Sequence, residues 1–341
     1  MAENSFLSAY HISSLVIPPL NRIHRRFVLV YNWFPRQGTE MTFIPSYVPL
    51  HEKGGLNHKI QLLKEFFKEC RLCPRECGVS RLDGEVGVCQ AGTELVVSSA
   101  FPHFGEESPL VGRHGSGTIF LTHCNLRCVF CQNYDISHLG NGERITSSDL
   151  ARVMLRLQEM GCHNINFVTP TQYVPQILSS LPEAIEKGLR IPIVYNCSGY
   201  ESLEVIRLLE GVVDIYMPDV KYFDAKYSKR FSNAPDYPEV VKQALKEMHR
   251  QVGDLTMDSK GVAERGLLIR HLVMPNGVAS SEAVLKFIAE EISVHSYVNV
   301  MDQYRPEYRA NEYPEIDRRI THKEFLEAIQ WAKRFHLYRG F

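Results

Sequence analysis

Cys124, Cys128 and Cys131 lie in the run CNLRCVFCQN, directly after the short apolar stretch GTIFLT. Gaps of three residues and then two put three thiolates on one tight loop, small enough to wrap a compact inorganic cluster. Iron–sulfur clusters normally take four thiolates. With three protein ligands, a four-iron cluster keeps one iron open, and an open metal position is where chemistry occurs. The structural alternative is zinc, whose closed four-ligand sites often contain cysteines two apart. Three cysteines with no evident fourth partner fit zinc poorly.

A second group, CRLCPRECGVSRLDGEVGVC, supplies Cys70, Cys73, Cys77 and Cys89. Four thiolates can close a site, which is the usual mark of structural zinc or of an electron-relay iron–sulfur cluster. The residues leave both open. Gly78, Gly84 and Gly87 permit the turns of such a loop-rich module. Cys162 and Cys197 stand apart and read as buried free thiols. Cys197 follows a strand and could face a site. Seven of the nine cysteines fall between Cys70 and Cys131, which speaks for metal ligation in a reducing compartment, the cytoplasm, rather than for a disulfide framework.

Elements that could position these thiols alternate along the chain. Apolar strand candidates span 118–122, 165–169, 192–196, 212–217, 267–274 and 297–301. Helical patterns span 58–67, 148–160, 173–187, 203–209, 238–252, 281–292 and 321–335, and Ser147, Ser148 and Asp149 are candidate caps of the second. Strand–helix alternation predicts parallel strands with crossover helices. Six units are too few for an eight-fold barrel, so the expected α/β fold is a partial (β/α)6 TIM-like open barrel with an N-terminal cysteine-rich module. The expected division is an N-terminal extension at 1–57, the cysteine-rich module and connector at 58–113, and the core at 114–341. Ligands of parallel α/β folds gather at the carboxyl ends of the strands, which is where Cys124 falls.

Charge excludes other classes. Lysine and arginine (38) nearly cancel aspartate and glutamate (39), so a net charge of −1 gives no bulk attraction to nucleic acid or to an anionic membrane. No apolar run reaches the roughly 18 residues of a membrane span. Residues 1–40 carry four arginines and two acids. They read as an organelle leader, a disordered extension, or sequence upstream of a true start at Met41.

The cysteine run resembles the signature of the radical S-adenosylmethionine enzymes. The segments CRLCPRECGVSR, GSGTIFLTHCNLRCVFCQN, NINFVTPTQ, PIVYNCSGYE, VDIYMPDVKY, RGLLIRHLVMPN and NVMDQYRP are similar to the PflX-like branch, related to pyruvate formate-lyase activating enzyme. This resemblance implies a [4Fe-4S] cluster completed by S-adenosylmethionine, reductive cleavage to a 5′-deoxyadenosyl radical, and hydrogen abstraction from a substrate. It also implies a low-potential flavodoxin- or ferredoxin-type donor and a protein or peptide substrate, with a small metabolite as the alternative. A metal-binding scaffold without turnover is the non-enzymatic reading.

Residue by residue, the resemblance puts Phe130 against adenine, and Asp219, Lys221 and Arg270 near the cofactor's polar groups. For each, a packing or ion-pairing role is the competing account, because a buried arginine needs a partner. Arg127 is a nearby charge that would favour thiolates. Activating enzymes carry Gly-Gly-Glu after the second strand. Here that place reads Thr169-Pro170-Thr171-Gln172, whose Thr169 and Thr171 hydroxyls and Gln172 amide could accept from the cofactor ammonium without a charged partner.

Overall fold

The computed structural model describes residues 43–341. The arginine-bearing stretch 1–40 lies outside them. Two short helices come first, α1 (Tyr47–Glu52) and α2 (Gly55–Glu65). Tyr47 is fully buried and its hydroxyl donates to the Ile191 carbonyl at 2.8 Å. Next comes the cysteine-rich segment, whose regular structure is a single 3₁₀ turn at Arg81–Asp83.

β1 (Leu95–His103) is followed by α3 (Ser108–Val111), and then by β2 (Ser116–Leu121). Sequence reading treated 90–113 as a connector; it contains a nine-residue strand. Most of β1 is half-exposed, so it lacks the alternation that reveals a strand with one buried face. After β2 the chain makes α4 (Tyr134–Ser137), β3 (Glu143–Ile145) and α5 (Ser147–Glu159). The cap of α5 is Thr146, one residue upstream of the expected three. Its hydroxyl accepts from Asp149 N at 3.1 Å while the Asp149 carboxylate accepts from Thr146 N at 3.0 Å, a reciprocal capping box.

Then follow β4 (Ile165–Val168), α6 (Val174–Glu186), β5 (Ile193–Cys197), α7 (Leu203–Leu208) and β6 (Ile215–Val220). The strand expected at 212–217 begins three residues later, since Val212 and Val213 are buried in the turn before it. α8 (Ala225–Ser232), which the sequence reading did not mark, precedes α9 (Tyr237–Val252) and the two-residue β7 (Thr256–Met257). β8 (Ala263–Leu272) starts four residues earlier than expected. α10 (Ser281–Phe287) passes into a π turn, and β9 (Tyr297–Met301) and α11 (His322–Arg334) complete the order.

β2, β4, β5, β6, β8 and β9 pair in parallel in that order. β1 lies antiparallel on the free edge of β2, with β3 beyond it. The fold is therefore α/β with a mostly parallel, open sheet, a partial TIM-like barrel of six parallel strands. Buried parallel strands are near-continuously apolar, and all five residues of β5 are buried. Leu110, Val194, Ile215, Met217, Leu255, Ala263 and Leu268 form a separate apolar cluster. Val194 and Asn196 share a face by strand alternation, and Asn196 lines the cavity described below. The small cluster thus fills the barrel beneath that cavity. Among the described residues no helix is long and apolar enough to cross a membrane.

Candidate active site

A cavity of about 240 Å³ opens at the carboxyl ends of the parallel strands. Its lining includes Cys124, Cys128, Cys131, Phe130, Thr169, Asn196, Asp219, Lys221 and Arg270. The loop after β2 is tightly wound: His123 and Arg127 take left-handed φ of 64° and 51°. That fold-back brings each sulfur to a donor. Leu126 N donates to Cys124 Sγ at 3.4 Å, and the Ser232 hydroxyl donates to Cys128 Sγ at 3.2 Å. Ser137 Oγ lies 3.1 Å from Cys131 Sγ and 2.9 Å from His138 Nδ1.

Burial pushes the Cys124 thiol up to about 11 and raises Cys128 and Cys131 as well. For all three, the Lys221 ammonium acts in the opposite direction. Sequence reading looked to Arg127 for this charge. Arg127 instead gives Cys124 a backbone N–H, and its buried Nη1 has no partner.

Asp219, Lys221 and Arg270 form one network. Asp219 and Arg270 are register partners on β6 and β8. Lys221 Nζ donates to Asp219 Oδ2 at 2.7 Å, and Arg270 Nε donates to Asp219 Oδ1 at 2.7 Å. Arg270 Nη2 donates to Asn196 Oδ1 at 2.8 Å, and its Nη1 lies 3.8 Å from Glu106 and 3.7 Å from Glu107. Burial would raise Asp219, but the two cations beside it hold the carboxyl below its ordinary value. The ion pairing expected of these residues is present, and all three also line the cavity.

Phe130 is buried, with its ring edge-on to Tyr222 and Tyr304 at centroid distances of 6.4 and 5.8 Å. Thr169 lines the cavity with φ at 60°, a conformation costly for a β-branched residue and natural to glycine. Thr171 does not line it. Its hydroxyl donates to Glu201 at 2.8 Å in the core. Glu201 also accepts from Tyr195 at 3.0 Å, and burial pushes its carboxyl up to about 7. His271 turns away from the cavity, bonded to the Val220 carbonyl and Ser281.

Sequence reading missed Asn196, His138 and Ser232; none carries a local signal, and each is brought in by tertiary contact. Gln172, expected with its neighbours to offer an acceptor to the ammonium, donates its amide to the Thr122, His123 and Thr169 carbonyls at 2.9, 3.2 and 2.8 Å.

Among the described residues no three His, Cys, Asp or Glu side chains converge as one metal ion would require. A polynuclear cluster takes one thiolate per iron, so its ligands need only surround a common space. Three soft thiols facing one cavity fit such a cluster, with no fourth protein ligand among them.

Residues 118–259 match the family model of the Radical SAM superfamily, a span that holds the three cysteines, Asp219 and Lys221. Residues 118–259 thus form a radical SAM superfamily domain. Such a domain implies a [4Fe-4S] cluster, S-adenosylmethionine and a source of reducing electrons. The chain is 35% identical over 292 residues to the uncharacterized protein MJ0674 of Methanocaldococcus jannaschii, covering 83% of this chain and 79% of the relative. A second uncharacterized protein of that organism, MJ0808, is 23% identical over 295 residues, covering 80% and 78%. A crystal structure of HydG, a maturase of the [FeFe]-hydrogenase, aligns with a TM-score of 0.43 at 15% identity. That alignment covers 65% of this chain, which spans about half of HydG (49%).

Proposed function

We propose that this chain is a radical S-adenosylmethionine enzyme of the activating-enzyme type, abstracting hydrogen from a protein or peptide. The observation that carries the reading is the meeting of three hydrogen-bonded thiols with the Asp219–Lys221–Arg270 network around one cavity. When bound, the [4Fe-4S] cluster and S-adenosylmethionine supply one-electron cleavage of the sulfonium and, from it, hydrogen-atom abstraction.

Cys124, Cys128 and Cys131 would hold three irons. Lys221, Arg270 and Asp219 present two cations and one carboxylate to a cofactor that carries both charges, and charge-assisted hydrogen bonds are the strong ones. Two cations against one carboxylate leave the trio with a net charge of +1, and Glu106 and Glu107 lie 3.8 and 3.7 Å from Arg270 Nη1 to offset it. Phe130 offers an apolar wall, and Leu121, Leu272 and Met301 help keep water from the floor. Thr169 and Asn196 offer neutral acceptors or donors in place of a glutamate.

An aromatic edge supports a polypeptide substrate. Tyr134 and Tyr308 are exposed and stacked at 5.0 Å, and Tyr308 meets the cavity-lining His138 at 4.6 Å. Such a flat, open ledge suits an extended chain better than a metabolite that must be enclosed.

The test is anaerobic reconstitution followed by dithionite, with 5′-deoxyadenosine measured. The wild type should form it and Cys128→Ser should not. A loaded cluster that never yields this product overturns the reading. With an extract of deuterated cells as the substrate source, label should enter 5′-deoxyadenosine from the protein fraction. Label arriving only from the small-molecule filtrate sinks the polypeptide assignment.

A further inference from the structure

Cys70, Cys73, Cys77 and Cys89 lie outside the residues that match the superfamily model, and the site just described does not use them. We propose that they hold a second iron–sulfur cluster that relays electrons to the first, a role that rests on the function proposed above.

The four thiols are free. Their backbone is folded into one compact turn, with Gly78 N donating to the Cys70 carbonyl and Glu76 N to the Cys73 carbonyl, both at 3.1 Å. Cys70 and Cys89 are near enough to act electrostatically on Cys73, as Cys70 and Cys77 are on Cys89. Three sulfurs accept backbone N–H groups: Cys77 from Val88 at 3.5 Å, Cys73 from Arg75, and Cys89 from Ala91. Hydrogen bonds to sulfur of this kind stabilise metal-bound thiolates. Gly87 keeps the space beside Cys77 clear, since a Cβ there would stand 2.6 Å from its sulfur.

Arg81 points to what fills the site. Its side chain is 97% buried, being only 3% exposed. Nη1 donates to the Gln172 and Gly92 carbonyls at 2.8 and 3.3 Å, and Nη2 lies 3.8 Å from Cys89 Sγ. Nε has no partner. A buried cation bonded only to carbonyls and one sulfur is costly without an anion beside it. Four thiolates around a metal centre carry net negative charge and supply that anion.

Two links favour a relay over a structural ion, because they join the module directly to the first cysteine loop. Arg75, two residues after Cys73, donates through Nε to the Asn125 carbonyl at 3.0 Å and through Nη2 to Leu126 at 3.4 Å. Both acceptors lie between Cys124 and Cys128. The second link runs from Cys89 through Arg81 to Gln172, whose amide reaches the Thr122 and His123 carbonyls just before Cys124.

In each cycle one electron enters from a flavodoxin- or ferredoxin-type donor and one leaves to the first cluster. The relay returns to its starting oxidation state, and no bond or proton moves. Cys77, the least buried of the four, marks the entry side.

The decisive variant removes the first site and keeps the second: Cys124→Ala, Cys128→Ala and Cys131→Ala together. Purified without oxygen, it should retain about four irons, matching sulfide and no zinc, with its own electron paramagnetic resonance signal on reduction. Zinc, or no metal, overturns the proposal while leaving the first site's iron and 5′-deoxyadenosine formation in the wild type untouched.

The relay role is read from Cys73→Ala/Cys77→Ala, which should lose reduction of the first cluster by reduced flavodoxin yet keep reduction by dithionite. Arg75→Gln retains every thiol and should slow only the flavodoxin reaction. If flavodoxin reduces the first cluster equally well in these variants, the second centre is not a relay.

Discussion

Gln172 carries no charge and touches none of the three thiols, yet its one amide group ties two carbonyls at the root of the cysteine loop, those of Thr122 and His123, to the Thr169 carbonyl after β4. It is 2% exposed, so its removal leaves acceptors without partners and without ready access to water. Gln172→Ala should cost about 1–3 kcal/mol, seen as a lower Tm and weaker retention of the reconstituted cluster. Gln172→Glu should be worse than alanine, because an ionised carboxylate accepts hydrogen bonds and cannot donate them. Equal stability of the two variants would show that the amide donors are not what matters. At this same scale, the sequence displayed the metal chemistry and hid its support. Three cysteines on one loop are local and readable. Ser232, 104 residues from Cys128, and Gln172, nearly fifty residues beyond the carbonyls it ties, become neighbours only through the barrel.

β2 sets the height of the cysteine loop, and its seating depends on a residue with no side chain. A Cβ on Gly117 would lie 2.6 Å from the Asn164 carbonyl oxygen, and that backbone atom cannot swing aside. Gly117→Ala should therefore force β2 away from the start of β4 and destabilise the fold by about 1–3 kcal/mol, the usual cost of overpacking. Gly92→Ala is the control, since nothing lies within 4 Å of its added methyl. Its Tm should stay near the wild-type value, and equal losses in both variants would remove the steric account. The six parallel strands were readable because burial on both faces makes each a short apolar run. β1 was not, because it lines the open edge and is half-exposed along most of its length. α8 was missed for a related reason: in AKYSKRFS only Ser228, Phe231 and Ser232 are buried, too few to write a stripe.

Across the whole molecule, buried ionisable groups make stability a function of pH, with opposing signs. Burial pushes Glu201 up to about 7 and Asp214 up to about 6, so each keeps its proton to a higher pH in the folded chain than in the unfolded one. A raised acid contributes stability that is complete below its unfolded pKa and is lost as pH rises through the folded value. Burial lowers His271 to about 4. Its contribution is present above the unfolded value near 6.5 and is lost as pH falls toward 4. Between about pH 4.5 and 6 the histidine therefore offsets one of the two acids, from about 6 to 6.5 it offsets Glu201 alone, and above 6.5 Glu201 acts unopposed until it ionises. Glu201→Gln removes one acid and leaves the other groups in place, so the difference between variant and wild type isolates it. Glutamine retains a carbonyl acceptor for the Thr171 and Tyr195 hydroxyls, which limits the direct cost of the change. The variant should gain on the wild type by up to about 3 kcal/mol between pH 4.5 and 7, with little further change above that range. Denaturant midpoints of the metal-free chain measured across that range are the check, and parallel curves would mean that Glu201 ionises at its ordinary pKa in the folded state.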